Sequence, residues 1–397
     1  MKEDTLLTTA GRNPEANFGI VNPPVYHAST VLFPTLDALE AAQRQRQPGK
    51  VYYGRNGTPT TFALEDAVAA IEGGYRAIAV GSGVAAITAA ILAFVKAGDH
   101  ILIVDSVYGP TRRFCDTVLA RFGVETTYYD PLIGGDIANL MRPTTRLVLL
   151  ESPGSLTFEV QDVPAIVAAA KAAGAATVMD NTWATPLYFK PLAHGVDVSV
   201  QAGTKYIGGH SDVMLGMITA TEAAYSRVRS AVNDLGHHAA PDDCYLALRG
   251  LRTMSVRLKR HHETGLALAR WLAERPEVTR VRHPALPSDP GHALWRRDFT
   301  GASGLFAFEL EPTPRHALAA MLDHLGLFGM GYSWGGYESL LIPADPRQFR
   351  TARPWQAQGP LLRVHAGLED PEDLIADLDR ALARRRAALD GAARSIA

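Results

Sequence analysis

Short apolar runs recur along the first half of this 397-residue chain, separated by stretches in which apolar residues return every third or fourth position. The first run covers 77–80 and leads through a GSG turn into a helical pattern over 85–98. Further runs at 101–104, 124–128, 147–150, 176–179 and 196–200 predict strands, with helices over 110–122 and 163–174 between them. Short, continuously apolar strands alternating with helices predict an α/β fold, in which a mostly parallel sheet is covered by helices on both faces. Past about residue 235 the pattern becomes a long helix over 242–272, mixed segments such as SGLFAFEL and LLRVHAGL, and a terminal helix from residue 371. That reads as a smaller α+β domain. Before about residue 60, turn formers such as Asn13, Pro14, Asn22, Pro23, Pro24 and Gly49 dominate, and periodicity is weak. This segment buries little by itself, so it is expected to lie on another surface, such as a second subunit. The expected division is an arm over 1–60, an α/β domain over 61–256 and an α+β domain over 257–397.

Composition narrows the functional classes. A hydrophobic content of 47% and a charged content of 20% belong to a globular protein, not a disordered or fibrous one. A net charge of −2 gives no electrostatic case for nucleic acid or an anionic membrane as partner. Cys115 and Cys244 are the two cysteines, too few for a disulfide framework and suited to a reducing cytoplasm. The first residues lack the apolar core of a signal peptide, and the most apolar helical stretch, 84–95, is too short to span a bilayer. A cytoplasmic location is expected.

The most informative stretch for chemistry is VSVQAGTKYIGGHSDVML, read with TVMDNTW upstream. An apolar run carrying Val196, Val198 and Val200 delivers Lys205 into a loop of small residues, beside Thr204 and His210. Desolvation there lowers a lysine pKa and makes the amine nucleophilic. The run over 176–179 ends on Asp180. A Schiff-base lysine and an acid for a pyridinium nitrogen are what pyridoxal phosphate (PLP) requires of a protein. Taken singly, Lys205 reads as a surface lysine and Asp180 as a turn or cap residue. Their order along a parallel sheet, after a glycine turn at Gly81–Val84 able to receive a phosphate at a helix N-terminus, shifts the balance, because such sheets bind ligands at the carboxyl ends of their strands. GSGVAA completes neither a dinucleotide fingerprint nor a P-loop.

Tyr108, just past a strand end, could stack on a planar cofactor or simply pack. Tyr53 and Arg55 pair a phenol with a guanidinium in a loop, a combination suited to phosphate, though Arg55 alone reads as solvated. Arg363 lies mid-strand among apolar residues, either in a structural ion pair or gripping a ligand carboxylate. The histidines His210, His237, His238, His261 and His262 lack metal-binding spacing, and no metal is expected.

The segments ESPGSLTFEV, DNTWATP, QAGTKYIGGHSD, RGLRTMSVRLKRHHE, RDFTGASGLF, YSWGGYESL and LLRVHAGLEDPEDLIADLD together resemble the Cys/Met-metabolism (trans-sulfuration) PLP enzymes of aminotransferase fold type I, over essentially the whole chain. YSWGGYESL is similar to the bacterial β-acting branch, since γ-acting relatives usually carry SLGG there. The resemblance implies a mostly parallel seven-stranded sheet flanked by helices, with a smaller C-terminal α+β domain. It implies Lys205 as the covalent anchor of pyridoxal 5′-phosphate and proton carrier, Asp180 at the pyridine nitrogen, and Tyr108 on the ring. Gly83, Val84 and Thr204 would hold the phosphate, with Tyr53 and Arg55 reaching it from a neighbouring subunit. Ser333 and Arg363 would receive the substrate α-carboxylate, and Trp334 and Tyr245 would line the substrate side. The implied assembly is a homotetramer, a dimer of dimers with shared active sites.

The implied reaction is α,β-elimination of L-cystathionine to homocysteine, pyruvate and ammonia, in methionine biosynthesis, with other cysteine S-conjugates also accepted. The alternatives are a cysteine-S-conjugate lyase or cysteine desulfhydrase of different preference, and a γ-acting lyase or synthase. Asn56 and Arg113 stand where the β-acting branch commonly has an arginine and an acid, which bears on substrate choice. From other classes, a nucleotide-binding oxidoreductase and a non-catalytic protein of the same fold are the rivals; a colourless preparation that takes up no PLP would favour them.

Overall fold

A computed structural model describes residues 1–44 and 49–394. Residues 45–48, within the expected arm, and residues 395–397 lie outside the described residues. Two sheets organise the rest. The larger contains β1 (Arg76–Val80), β2 (His100–Val104), β3 (Glu125–Tyr129), β4 (Thr145–Glu151), β5 (Ala176–Asp180), β6 (Val198–Ala202) and β7 (Gly216–Ala220), in the order β1-β7-β6-β5-β4-β2-β3. Strands β2 to β6 pair in parallel, and β7 runs antiparallel between β1 and β6. The smaller sheet, wholly antiparallel, contains β8 (Val278–Arg282), β9 (Leu305–Leu310), β10 (Leu340–Ala344) and β11 (Leu361–His365), in the order β10-β11-β9-β8.

The helices are α1 (Glu3–Thr9), α2 (Leu36–Arg44), α3 (Pro59–Glu72), α4 (Gly83–Leu92), α5 (Gly109–Phe114), α6 (Val163–Ala172), α7 (Thr185–Tyr188), α8 (Glu222–Asp234), α9 (Pro241–Ala273), α10 (His292–Asp298), α11 (Arg315–Leu322) and α12 (Pro371–Arg394). Local chemistry sets their ends. Helix α3 starts on a Thr58 capping box with Pro59 in its first turn and stops at Gly73, whose φ of 71° suits glycine. In α4 the Ser82 hydroxyl accepts from the Ala85 N–H at 3.1 Å. This helix lies so close to β6 that a Cβ on Gly83 would stand 2.6 Å from Ala202 Cβ. Small residues therefore bring the helix N-terminus down to the carboxyl ends of the strands.

Every residue of β2 is buried, as expected of a parallel strand covered on both faces. Helix α9, 33 residues long, enters two cores: Cys244, Leu248, Leu251 and Leu258 pack with α3, while Leu268 and Leu272 pack under the smaller sheet with Leu374 and Leu378 of α12.

The described structure differs from the sequence expectation in places with a physical reason. The helix expected over 85–98 ends at Leu92, and the chain turns again at Gly98, φ 86°, before β2. The helix expected over 110–122 divides into α5 and a widened turn over Cys115–Leu119. Strand β7 (GMITA) carries no long apolar run, because Gly216, Thr219 and Ala220 interrupt or bound it, although all five residues are buried.

A strap after β10 returns to the larger sheet and is tied there by Asp105. This carboxylate accepts from the Thr351 N–H (3.0 Å), the Arg353 N–H (3.0 Å) and Arg112 Nη1 (3.0 Å). Arg112 also donates to the Phe349 carbonyl and lies 3.6 Å from the centre of the Tyr128 ring. Burial alone would raise the Asp105 pKa, but these donors outweigh it and hold the group below the usual carboxylate range. Replacing Asp105 by alanine removes the buried carboxylate beside Arg112, leaves the Thr351 and Arg353 N–H groups without that acceptor, and should cost about 3–5 kcal/mol in denaturant unfolding. The sign with pH follows from the depressed folded value. The contribution is present above the unfolded carboxyl pKa, about 4, and is lost as pH falls through the folded one. An unfolding midpoint that is unchanged in the variant, or equally acid-sensitive, would contradict this.

Candidate active site

The carboxyl ends of β2, β4, β5 and β6 open into a cleft of about 580 Å³. Its walls bring together Gly83, Val84, Tyr108, Asp180, Thr204, Lys205, Ser333, Trp334 and Arg363, nine of the residues that sequence reasoning proposed. Tyr53, Arg55 and Tyr245 are not among its lining residues. Tyr53 is exposed, and Arg55 Nη1 donates to the Asn233 carbonyl at 3.0 Å. Tyr245 lies in the second turn of α9. Arg113 is exposed on α5 and also stays out of the cleft, whereas its neighbour Arg112 is the buried one. A second hollow, of about 610 Å³, lies between Met1–Asp4 and α9 and contains none of the candidate residues.

Lys205 sits in the turn three residues beyond β6, its N–H bonded to the Ala202 carbonyl at 3.0 Å. Its Nζ donates to Ser333 Oγ at 2.5 Å and stands 5.2 Å from the centre of the Trp334 ring. Burial, and then the charge of Arg363, lower its pKa to about 8 against the opposing charge of Asp180. Asp180 ends β5. Burial raises its pKa, while the Thr182 N–H (2.9 Å) and hydroxyl (2.5 Å), together with the charge of Lys205, favour the ionised form.

Glu151, paired with Asp180 in the register of β4 and β5, also lines the cleft. Burial and the adjacent Asp180 charge push its pKa well up. Its Oε2 accepts the Tyr108 N–H at 2.7 Å and so fixes the residue that opens α5. The Tyr108 phenol is itself raised by burial and by the Asp180 and Glu151 charges.

From the smaller sheet, β11 presents Arg363, whose Nη2 donates to the Ser333 carbonyl at 2.9 Å. The strap contributes Pro346, Phe349 and Arg350, the last bonded to Glu159 at 3.0 Å and to Thr157. Glu151 is visible by the same strand-end rule that marks Asp180, since it follows the apolar run over 147–150. The strap residues and Thr182 carry no such mark, because only folding brings them to the cleft.

These groups fit pyridoxal phosphate. The first N–H groups of α4 have no acceptor within the helix, and Gly83 and Val84 present them to the cleft floor beside Thr204. An amine brought down to about 8 and a buried carboxyl group held by two hydrogen bonds from Thr182 stand in the same cleft.

Comparisons with known proteins agree. A family model described as Cys/Met metabolism PLP-dependent enzyme matches residues 4–383. Cystathionine beta-lyase MetC of Escherichia coli K12 is 46% identical over 96% of this chain and 98% of its own. A Wolbachia pipientis protein named L-alanine/L-glutamate racemase is 44% identical over 97% of this chain and 98% of its own. Among solved structures, cystathionine gamma synthase from Xanthomonas oryzae pv. oryzae in complex with cystathionine superposes with a TM-score of 0.89 at 32% identity, covering 98% of this chain and 99% of its own.

Proposed function

Because this chain belongs to the Cys/Met metabolism PLP-dependent enzymes, we propose that it is a carbon–sulfur lyase that converts L-cystathionine and water to homocysteine, pyruvate and ammonia. The observation that carries this reading is the meeting in one cleft of Lys205 just past β6, Asp180 at the end of β5 and Arg363 on β11. Its cofactor is pyridoxal 5′-phosphate, which when bound draws electrons from the substrate Cα in a way that no side chain can.

The residues divide the remaining work. Lys205 anchors the cofactor through Nζ and, once displaced by the substrate amine, is the base that holds the Cα proton. Lys205 or Tyr108 returns a proton to the departing thiolate. Asp180 places its negative charge toward the pyridine nitrogen. Gly83, Val84 and Thr204 hold the phosphate. Arg363 and Ser333 receive the α-carboxylate, and Trp334 walls that side of the cleft.

Tyr53 and Arg55 would complete the phosphate site of a neighbouring subunit, and Tyr245 the substrate side, in a homotetramer built from two dimers. The exposed apolar residues of the arm, among them Phe18, Leu32 and Leu36, support that reading. The division into 1–60, 61–256 and 257–397 is proposed on the same grounds, its last boundary falling inside α9. Among the described residues no helix is long and apolar enough to cross a membrane. A cytoplasmic place in methionine biosynthesis suits the two free cysteines.

The test is to supply L-cystathionine and identify the keto acid. Pyruvate supports the proposal, and 2-oxobutyrate overturns it in favour of γ-cleavage. Supplying L-alanine and measuring the D-isomer checks whether the removed Cα proton can also return to the opposite face, the activity named for the Wolbachia relative.

The depressed lysine makes a pH prediction. PLP uptake by the cofactor-free protein requires the neutral amine, so its rate should rise with pH through a midpoint near 8. A midpoint near the ordinary lysine value of about 10.4 would show that the cleft does not depress Lys205.

A further inference from the structure

The loop over 331–336 carries Ser333 and Trp334 and lies directly on the lysine. A Cβ on Gly335, whose φ is 90°, would stand 3.0 Å from the Lys205 Cα and carbonyl carbon and from the Tyr206 nitrogen. Ser333, not a glycine, holds a φ of 80° in the left-handed region, a conformation that persists only where the surroundings over-determine it. Two side chains from one face of β11, two residues apart, supply that constraint. Arg363 Nη2 donates to the Ser333 carbonyl at 2.9 Å, just before Trp334. His365 Nε2 lies 3.1 Å from the Gly335 nitrogen and 3.1 Å from the Gly336 carbonyl oxygen, just after it.

His365 is fully buried. Its ring is backed by His261, 5.2 Å away between ring centres, and by Tyr206 at 6.0 Å. Burial, His261, Arg363 and Lys205 all hold it neutral, against the Gly336 carbonyl. Accepting the Gly335 N–H requires the neutral ring with its proton on Nδ1, an atom without a partner among the described residues; the other tautomer would donate from Nε2 to the Gly336 carbonyl instead.

We propose that His365 is a positioning residue which, through the Gly335 N–H, fixes the loop that sets Ser333 and Trp334 against Lys205 and the incoming α-carboxylate. It rests on the function proposed above and assigns a role to a group that does not touch the substrate. The loop is clamped on both sides of Trp334, by a cation on one side and by a neutral acceptor on the other. Loss of the acceptor frees Gly335 to lift from the Lys205 backbone and takes Ser333 away from both Nζ and the carboxylate site.

The test uses the PLP-loaded enzyme and glycine, which has the α-carboxylate but no leaving group, its binding read from the change in the visible absorption of the cofactor. His365→Leu keeps bulk without an acceptor, and His365→Asn keeps polarity but is too short to reach Gly335. Both should raise the glycine dissociation constant and the KM for cystathionine about tenfold, the worth of one buried hydrogen bond, with a smaller change in kcat. His365→Gln, whose side-chain oxygen reaches the Nε2 position, should come within about threefold of the parent. Parental glycine affinity in both the leucine and asparagine variants, or a glutamine variant as impaired as they are, would overturn the proposal. Failure of the parent itself to respond to glycine would instead count against the proposed function. Melting temperatures distinguish a displaced loop from a lost fold.

Discussion

Replacing Lys205 by alanine should abolish both turnover and covalent attachment of the cofactor, with kcat falling on the order of 10⁵-fold. The size follows from the number of tasks that Nζ performs. A positioned base contributes roughly 10²–10⁴-fold by itself, and the same atom is the anchor. No other lysine lines the cleft among the described residues. The Tyr108 phenol, raised by burial and by Asp180 and Glu151, is too weakly acidic to stand in as a base at neutral pH. Hydride trapping of the parent followed by mass spectrometry should place a phosphopyridoxyl group on the peptide bearing Lys205. A variant that keeps a tenth of the parental rate would remove this residue from its assigned role.

The second large effect is expected at Arg363. Truncation to alanine removes the guanidinium assigned to the α-carboxylate and should cost roughly 2–5 kcal/mol, about 30-fold to several thousand-fold in kcat/KM, most of it in KM. Lysine should rescue poorly, since a point charge does not reproduce the planar fork. A further signature is independent of affinity. Arg363 is the second cause, after burial, of the lowered Lys205 pKa. Its loss should therefore move the midpoint of PLP uptake by the cofactor-free protein to higher pH. Unaltered KM together with an unaltered midpoint would mean that the carboxylate is received elsewhere.

The alternating runs were enough to foresee β1 to β6, because parallel strands buried on both faces announce themselves as unbroken apolar sequence. The antiparallel β7 did not, since four of its five residues are small or β-branched and form no long apolar run. Lys205 and Asp180 were legible from their position just past such runs, and Glu151 obeys the same rule. Ser333 and Trp334 took their roles only from resemblance, and Arg363, read from its own strand, left a structural ion pair open, because nothing local links residues more than a hundred positions from Lys205 to its amine. His365 left no mark, and Asp105 read only as an acid just past the run over 101–104: a histidine that accepts one N–H, or an aspartate that gathers two N–H groups from a distant strap, acquires meaning only when the two sheets meet. Tyr53, Arg55 and Tyr245 are proposed for surfaces that one chain does not complete.

Helix α9 has a consequence for anyone recombining this enzyme with its relatives. Its 33 residues, about 50 Å at 1.5 Å per residue, are rooted at one end among Cys244, Leu248 and Leu258 and at the other among Leu268 and Leu272. A crossover placed at the apparent border between the two units would splice a rod in its middle and leave each half's side chains facing a foreign core. Chimeras are better joined in the short connections on either side, 236–240 or 274–277, so that the rod travels whole with one parent.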